Sequence, residues 1–160
     1  MKLVRTLQIG TWDSRTAEQA VEYLKSRGFQ DARAATAASG LTVAGTRGSW
    51  RGNLTSFDMT KLRARIRLST TTAGQVTVEL DVNTFGQQIT EWNKATWRLE
   101  LAELRRMLLG QGRIDTVWER FAQDRRAASL RWTFTFMVGG QRLPERWETE
   151  IQELEKDGAA

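Results

Sequence analysis

Residues 61–82, KLRARIRLSTTTAGQVTVELDV, decide the fold. Leu62, Ala64, Ile66 and Leu68 alternate with Lys61, Arg63, Arg65 and Arg67. Beyond the turn signal TTTAGQ, Val76, Val78, Leu80 and Val82 alternate with Thr77, Glu79, Asp81 and Asn83. Successive side chains leave a strand on opposite faces, so strict alternation marks a half-buried strand. Two such runs around a Gly-bearing turn predict a long antiparallel hairpin with one apolar and one polar face.

Upstream, KLVRTLQI (residues 2–9) is a short mixed run that predicts a strand. Asp13 or Ser14 can then cap a helix whose Ala17, Ala20, Val21 and Leu24 share one face. Gly28 followed by the apolar Phe29 is a helix-end signal. DARAATAASGLTVAGTRG (residues 31–48) predicts two short strands broken at Ser39-Gly40, the first weakened by its alanines.

Downstream, Thr90 can cap a helix over 91–109. At 100° per residue, Trp97, Leu101, Leu104 and Leu108 form one apolar stripe. Trp92, Ala95, Leu99, Ala102 and Leu109 form a second on roughly the opposite side. A helix with two apolar faces is sandwiched: one face covers the sheet, and the C-terminal third is expected to cover the other. That third begins with an amphipathic helix carrying Ile114, Val117, Trp118 and Phe121. SLRWTFTFMV (residues 129–138) alternates Leu130, Trp132, Phe134, Phe136 and Val138 and predicts a strand. Gly139-Gly140 is a turn signal, and Pro144 suits the first turn of a last helix with the stripe Leu143, Trp147, Ile151 and Leu154.

The expected fold class is therefore α+β: an antiparallel sheet in β-α-β-β-β-β-α order over residues 2–110, then a C-terminal α-β-α cap over 111–156, with 157–160 as a frayed tail. The 160 residues suit a single domain. The order of the first seven elements resembles the TATA-binding-protein-like and helix-grip arrangement, in which an antiparallel sheet curls around a long helix. Helix-grip proteins range from lipid carriers to cochaperones, so the resemblance by itself does not fix a function; the ligand-carrying alternative it implies is a cavity under the helix.

Composition narrows the chemistry. There is no Cys and no His, which removes disulfides, thiol nucleophiles, Ser-His-Asp and Cys-His triads and the usual zinc ligand sets. No enzyme, metal or cofactor is expected. No stretch of about 20 apolar residues exists to cross a membrane, and no secretory leader is recognisable, so a cytoplasmic protein is expected. The net charge of +5 is uneven: residues 1–80 carry 12 basic and 6 acidic side chains, residues 81–160 carry 12 and 13. A basic front half raises the question of an anionic partner.

Two sets of candidate residues follow. Lys61, Arg63, Arg65 and Arg67 form a row with about 7 Å between neighbours, the geometry of an anion-binding stripe. Inward residues must pair with inward ones, so these cations also fall opposite Thr77, Glu79 and Asp81, and a neutralised sheet face is the expected reading. The second set is a partner-binding group. Arg47, Trp50 and Arg51 lie in RGSWRGNL (residues 47–54), a Gly-rich connection without the Lys-Ser/Thr of a phosphate loop. An exposed Trp between two Arg would make a recognition tip. Trp132 and Phe134 join the set as part of an edge strand able to pair with another chain. Glu100 and Glu103, one helical turn apart, read as a solvated flank or an acid–base pair. The expected function is a non-catalytic interaction or assembly subunit that binds another protein or itself. The alternatives are a carrier or sensor of a small apolar ligand, and binding to nucleic acid or an anionic membrane surface through the basic half. Nucleic acid is disfavoured because the basic row shows no interleaved aromatics.

Overall fold

The computed structural model describes residues 1–37, 40–49, 61–72, 75–85, 89–134 and 142–156. Within them lie strands β1 (Lys2–Gln8), β2 (Arg33–Ala37), β3 (Gly40–Arg47), β4 (Ala64–Thr72) and β5 (Gln75–Val82). The helices are α1 (Ser14–Ser26), α2 (Glu91–Leu108), α3 (Asp115–Phe134) and α4 (Glu145–Lys156). The strands form one antiparallel sheet in the order β1-β5-β4-β3-β2. The two edge strands, β1 and β2, are separated in sequence by α1 alone, so α1 carries the chain from one edge of the sheet to the other.

The β4–β5 hairpin sets the register. Ala64, Ile66 and Leu68 lie opposite Val82, Leu80 and Val78, all buried, while Arg65 lies opposite Asp81 and Arg67 opposite Glu79. Leu3 and Leu7 of β1 continue the apolar face, opposite Leu80 and Val76. On the other side, Gly45 of β3 lies opposite Ile66. A Cβ there would come within 3.1 Å of the Ala32 Cβ and 3.2 Å of the Phe29 Cβ. Gly45 is thus a close-packing glycine inside a strand.

Helix α1 packs on β3, β2 and α2. Its N-cap is Asp13, whose carboxylate accepts the Thr16 N–H at 2.8 Å, satisfying a donor that the first turn leaves open. Helix α2 is capped by Thr90 in the same way. Its two stripes part company. Trp97, Leu101, Leu104 and Leu108 join the sheet and α1 in one apolar cluster. Trp92, Ala95, Leu99 and Ala102 join Ile114 and Phe121 of the α3 region and Trp147, Ile151 and Leu154 of α4 in a second. Phe121 is the hub of that second cluster, with ring centroids 5.2 Å from Trp92 and 5.1 Å from Trp147. The layers are sheet, then α1 with α2, then α3 with α4.

One element differs from expectation. The strand expected over 129–138 gives way over 129–134 to helix α3, which continues to Phe134. No Gly or Pro interrupts residues 115–134, and Ala127-Ala128 favour helix. The alternating run also places Leu130 and Phe134 four apart, a helical spacing, so the short apolar pattern fits either period. Extending a formed helix adds a hydrogen bond per residue without a new nucleus. Residues 135–138 lie outside the described residues.

Candidate functional site

The chemistry-bearing residues gather in one internal cluster and on one open surface. The cluster is built on α2. Glu103 is fully buried, and its Oε2 accepts the Tyr23 hydroxyl at 2.9 Å, the Trp118 Nε1–H at 3.2 Å and a hydrogen bond from Arg27. Its Oε1 accepts the Ile114 N–H at 3.4 Å. Arg27 also lies over the Trp118 ring, 4.7 Å from its centroid. One turn earlier, Glu100 holds Arg47 in a two-pronged ion pair at 2.5 and 2.7 Å. Arg47 adds a hydrogen bond to the Arg27 carbonyl at 3.1 Å and lies over Phe29 at 4.6 Å.

These contacts correct two expectations. Glu100 and Glu103 are not a solvated flank: the side of α2 that carries them with Thr96 is buried, as its two apolar faces are. A carboxylate taken out of water needs a cation and several donors; α1 with its C-cap Arg27, β3 and the start of α3 supply them. Arg47 is not an exposed recognition residue: it is 4% exposed and spent on Glu100. The signal was available in principle. A helix that is apolar on two sides leaves narrow flanks, and charges there call for partners.

The cluster's titration follows from burial. Burial alone would raise the Glu103 carboxyl, but the hydrogen bond and charge of Arg27, with the Tyr23 hydroxyl and the Ile114 N–H, hold it below its ordinary 4.5. Burial, then the charges of Glu103 and Glu100, push the Tyr23 phenol well above 10. The result is an ionised carboxylate and a neutral phenol, sealed together. Such an arrangement ties α1, α2 and the start of α3 into one body.

The open surface is the other face of the sheet. Among the described residues, no helix packs on it. Arg33, Ala35, Ala44, Thr46, Arg65, Arg67, Glu79, Asp81, Lys2 and Val4 project there by strand alternation. Arg63, Arg65 and Arg67 are exposed in a row. Lys61 is exposed but apart from them, beside Gly48 and Ser49 and ahead of β4. The carboxylates opposite Arg65 and Arg67 do not close on them. Among the described residues, no ion pair within 4 Å joins Arg65 to Asp81 or Arg67 to Glu79, and Glu79 instead meets Lys2 at 3.4 Å.

At the end of the row, an open hollow of about 440 Å³ is bounded by Arg63, Arg65, Thr46, Asp81, Asn83 and Phe85, among others. Phe85 is 72% exposed, and its N–H donates to Asn83 Oδ1 at 3.0 Å. Sequence reading missed Phe85 because it lies past the last alternating residue, outside any periodic pattern.

Of the other expected partner-binding residues, Trp50 and Arg51 lie outside the described residues. Trp132 and Phe134 lie in the last turn of α3, and their side chains are likewise outside the description. No described helix is long and apolar enough to cross a membrane. Compared with known proteins, the chain matches no family model, no curated protein and no solved structure.

Proposed function

We propose that the protein is a non-catalytic assembly subunit that pairs with a second copy of itself, edge to edge, through β2. The observation that supports this reading is the contrast between the two edges of the sheet. β1 is guarded by Lys2 and Arg5, both exposed, which reach Glu79 at 3.4 Å and Glu155 at 3.8 Å. Charged side chains of this kind keep an edge from pairing with foreign strands. β2 reads Arg33-Ala-Ala-Thr-Ala37, and Arg33 to Thr36 are all exposed. It carries no Pro and no Lys, and nothing bulky follows Arg33. In an antiparallel ladder alternate residues turn both N–H and C=O away from the neighbour, so β2, with no second strand beside it among the described residues, offers a row of backbone groups.

A twofold axis at Ala35 makes the edge self-complementary. Ala35 meets its own copy, and each Arg33 falls opposite an Ala37, so like charges are kept apart. Twofold dimers are the commonest oligomers. Five residue pairs form a small contact against the roughly 1,600 Å² of a standard interface, so a reversible, concentration-dependent dimer is expected. The packing under α2 favours assembly over ligand carriage. Trp97, Leu101 and Leu104 occupy the space between helix and sheet, and the enclosed gap beside Tyr23 and Phe29 holds about 10 Å³, about one water.

The experiment is charge complementation monitored by light scattering and native mass spectrometry. Ala35→Lys and Ala35→Glu each set like charges across the axis and are expected to be monomers. Their mixture is expected to form a heterodimer. A wild type that stays monomeric at the highest soluble concentration, or variants that dimerise like the wild type, would rule out pairing through β2.

A further inference from the structure

We infer that the open face of the sheet binds single-stranded nucleic acid, with phosphates along Arg67 and Arg65 and a base stacked on Phe85.

Four observations converge. First, the face is uncovered by any described element, and its floor is flat and small-featured, with Thr42, Ala44, Ser69 and Thr77 around the cations. Second, the strand repeat spaces the row at about 7 Å, and Arg65 and Arg67 are exposed and not closed on by the carboxylates opposite them. A guanidinium meets a phosphate through a planar fork of donors, and a row of them tracks a repeating anion. Third, the most exposed large apolar side chain among the described residues, Phe85, stands at the end of that row and not elsewhere on the molecule. The bond from its backbone to Asn83 fixes the turn that presents it. Fourth, the same hollow holds Asp81 beside Arg63 and Arg65. A carboxylate there accepts from an exocyclic amine, as Asp and Glu do from cytosine.

The combination selects the ligand class. A simple polyanion needs the cations but has no use for an exposed ring. A base offers a π-face to the ring, and an unpaired strand offers both that face and a phosphate at every residue. A duplex hides its base faces, so single strands are preferred. β2 borders this face, but Arg65 and Arg67 lie on β4, two strands away, and the inference does not depend on pairing at the β2 edge.

The test uses the full chain and three probes: a fluorescein-labelled single-stranded oligodeoxycytidylate, the same length of duplex DNA, and heparin as a polyanion without bases. Fluorescence anisotropy is expected to show saturable binding of the single strand that weakens as salt rises. Arg65→Glu with Arg67→Glu is expected to abolish binding of both the single strand and heparin. Arg65→Gln with Arg67→Gln gives the same readout if the reversal perturbs folding, with circular dichroism confirming the fold. Phe85→Ala is expected to weaken the single strand about tenfold and leave heparin unchanged. The inference is overturned by absence of saturable single-strand binding at low salt, by a duplex bound as tightly as the single strand, or by a folded Phe85→Ala protein whose single-strand affinity is unchanged.

Discussion

Arg47, the last residue of β3, and Glu100, in the middle of α2, form a two-pronged ion pair at 2.5 and 2.7 Å across 53 residues of sequence. The Arg47 side chain is 1% exposed and the Glu100 side chain 10%. The pair therefore fixes the end of the sheet against the helix in a low-dielectric setting. Removing one partner strands a buried charge, whereas removing both leaves an apolar contact. Glu100→Ala is expected to cost about 3–5 kcal/mol in chemical denaturation. Arg47→Met combined with Glu100→Leu should cost clearly less than the two single changes added together. Strict additivity would show that the pair is not coupled.

Glu103 and Tyr23 give the fold a pH dependence at both ends. The Glu103 carboxyl is held below 4.5 in the folded protein, so the unfolded chain takes up its proton first as pH falls. Its contribution is complete above about pH 4.5 and is lost as pH drops through the folded value. The Tyr23 phenol is raised above 10, so the unfolded chain loses that proton first. Its contribution is complete below about pH 10 and is lost as pH rises beyond it. Urea midpoints across pH should fall at both extremes. Glu103→Gln should be less stable at neutral pH yet lose less below pH 4.5, and Tyr23→Phe should flatten the alkaline limb. If the variants keep the wild-type slopes, other groups carry the dependence.

Gly48 is a single-residue test of the backbone at the end of β3. Its φ is +72°, and an added Cβ would lie 2.2 Å from the Leu62 carbonyl oxygen and 2.5 Å from that of Lys61. The next residue, Ser49, bridges to Leu62 and donates its N–H to the Lys61 carbonyl at 3.2 Å. Gly48→Ala therefore meets both a disfavoured conformation and two carbonyls with no room to retreat. A loss of more than about 1 kcal/mol is expected. Gly110→Ala, at φ +71° with nothing within 4 Å, should show the conformational cost alone, so equal losses at the two sites would refute the clash.

The sheet and the long helix were legible because their signals are local and periodic. Ile66 and Leu68, Val78 and Leu80 announce a buried face at period two, and the opposed stripes of Trp97 and Leu99 announce a sandwiched helix. The partners of Glu103 were not legible. Tyr23 lies 80 residues away, and nothing in the spacing of Glu100 and Glu103 says which cations will close on them. The same distance hid Arg47, whose Gly-rich surroundings suggested an exposed tip. Between Ser129 and Phe134 the pattern fits two periods, and the helix already under way from Asp115 decided the outcome. Phe85 could not be read as a surface residue at all, since exposure at the end of a strand leaves no trace in hydrophobic periodicity.

The second apolar cluster makes the C-terminal third indispensable to α2. Trp92, Ala95, Leu99 and Ala102 are buried in one cluster with the α3 region and α4, with Phe121 between Trp92 and Trp147. Phe121→Ala removes the ring that fills this space and is expected to cost about 3–5 kcal/mol. Deleting residues 111–160 goes further. It exposes the whole stripe, opens the Glu103 carboxylate by removing Ile114 and Trp118, and frees Arg98 from Glu148 and Glu155, which it meets at 2.7 and 2.8 Å. A continuous apolar stripe of that size on a helix promotes association, so the truncated chain should aggregate or fail to accumulate. Sedimentation velocity and thermal unfolding of residues 1–110 decide the matter. A monomeric truncated protein with a cooperative transition would show that the sheet, α1 and α2 stand alone and that the second face of α2 tolerates water.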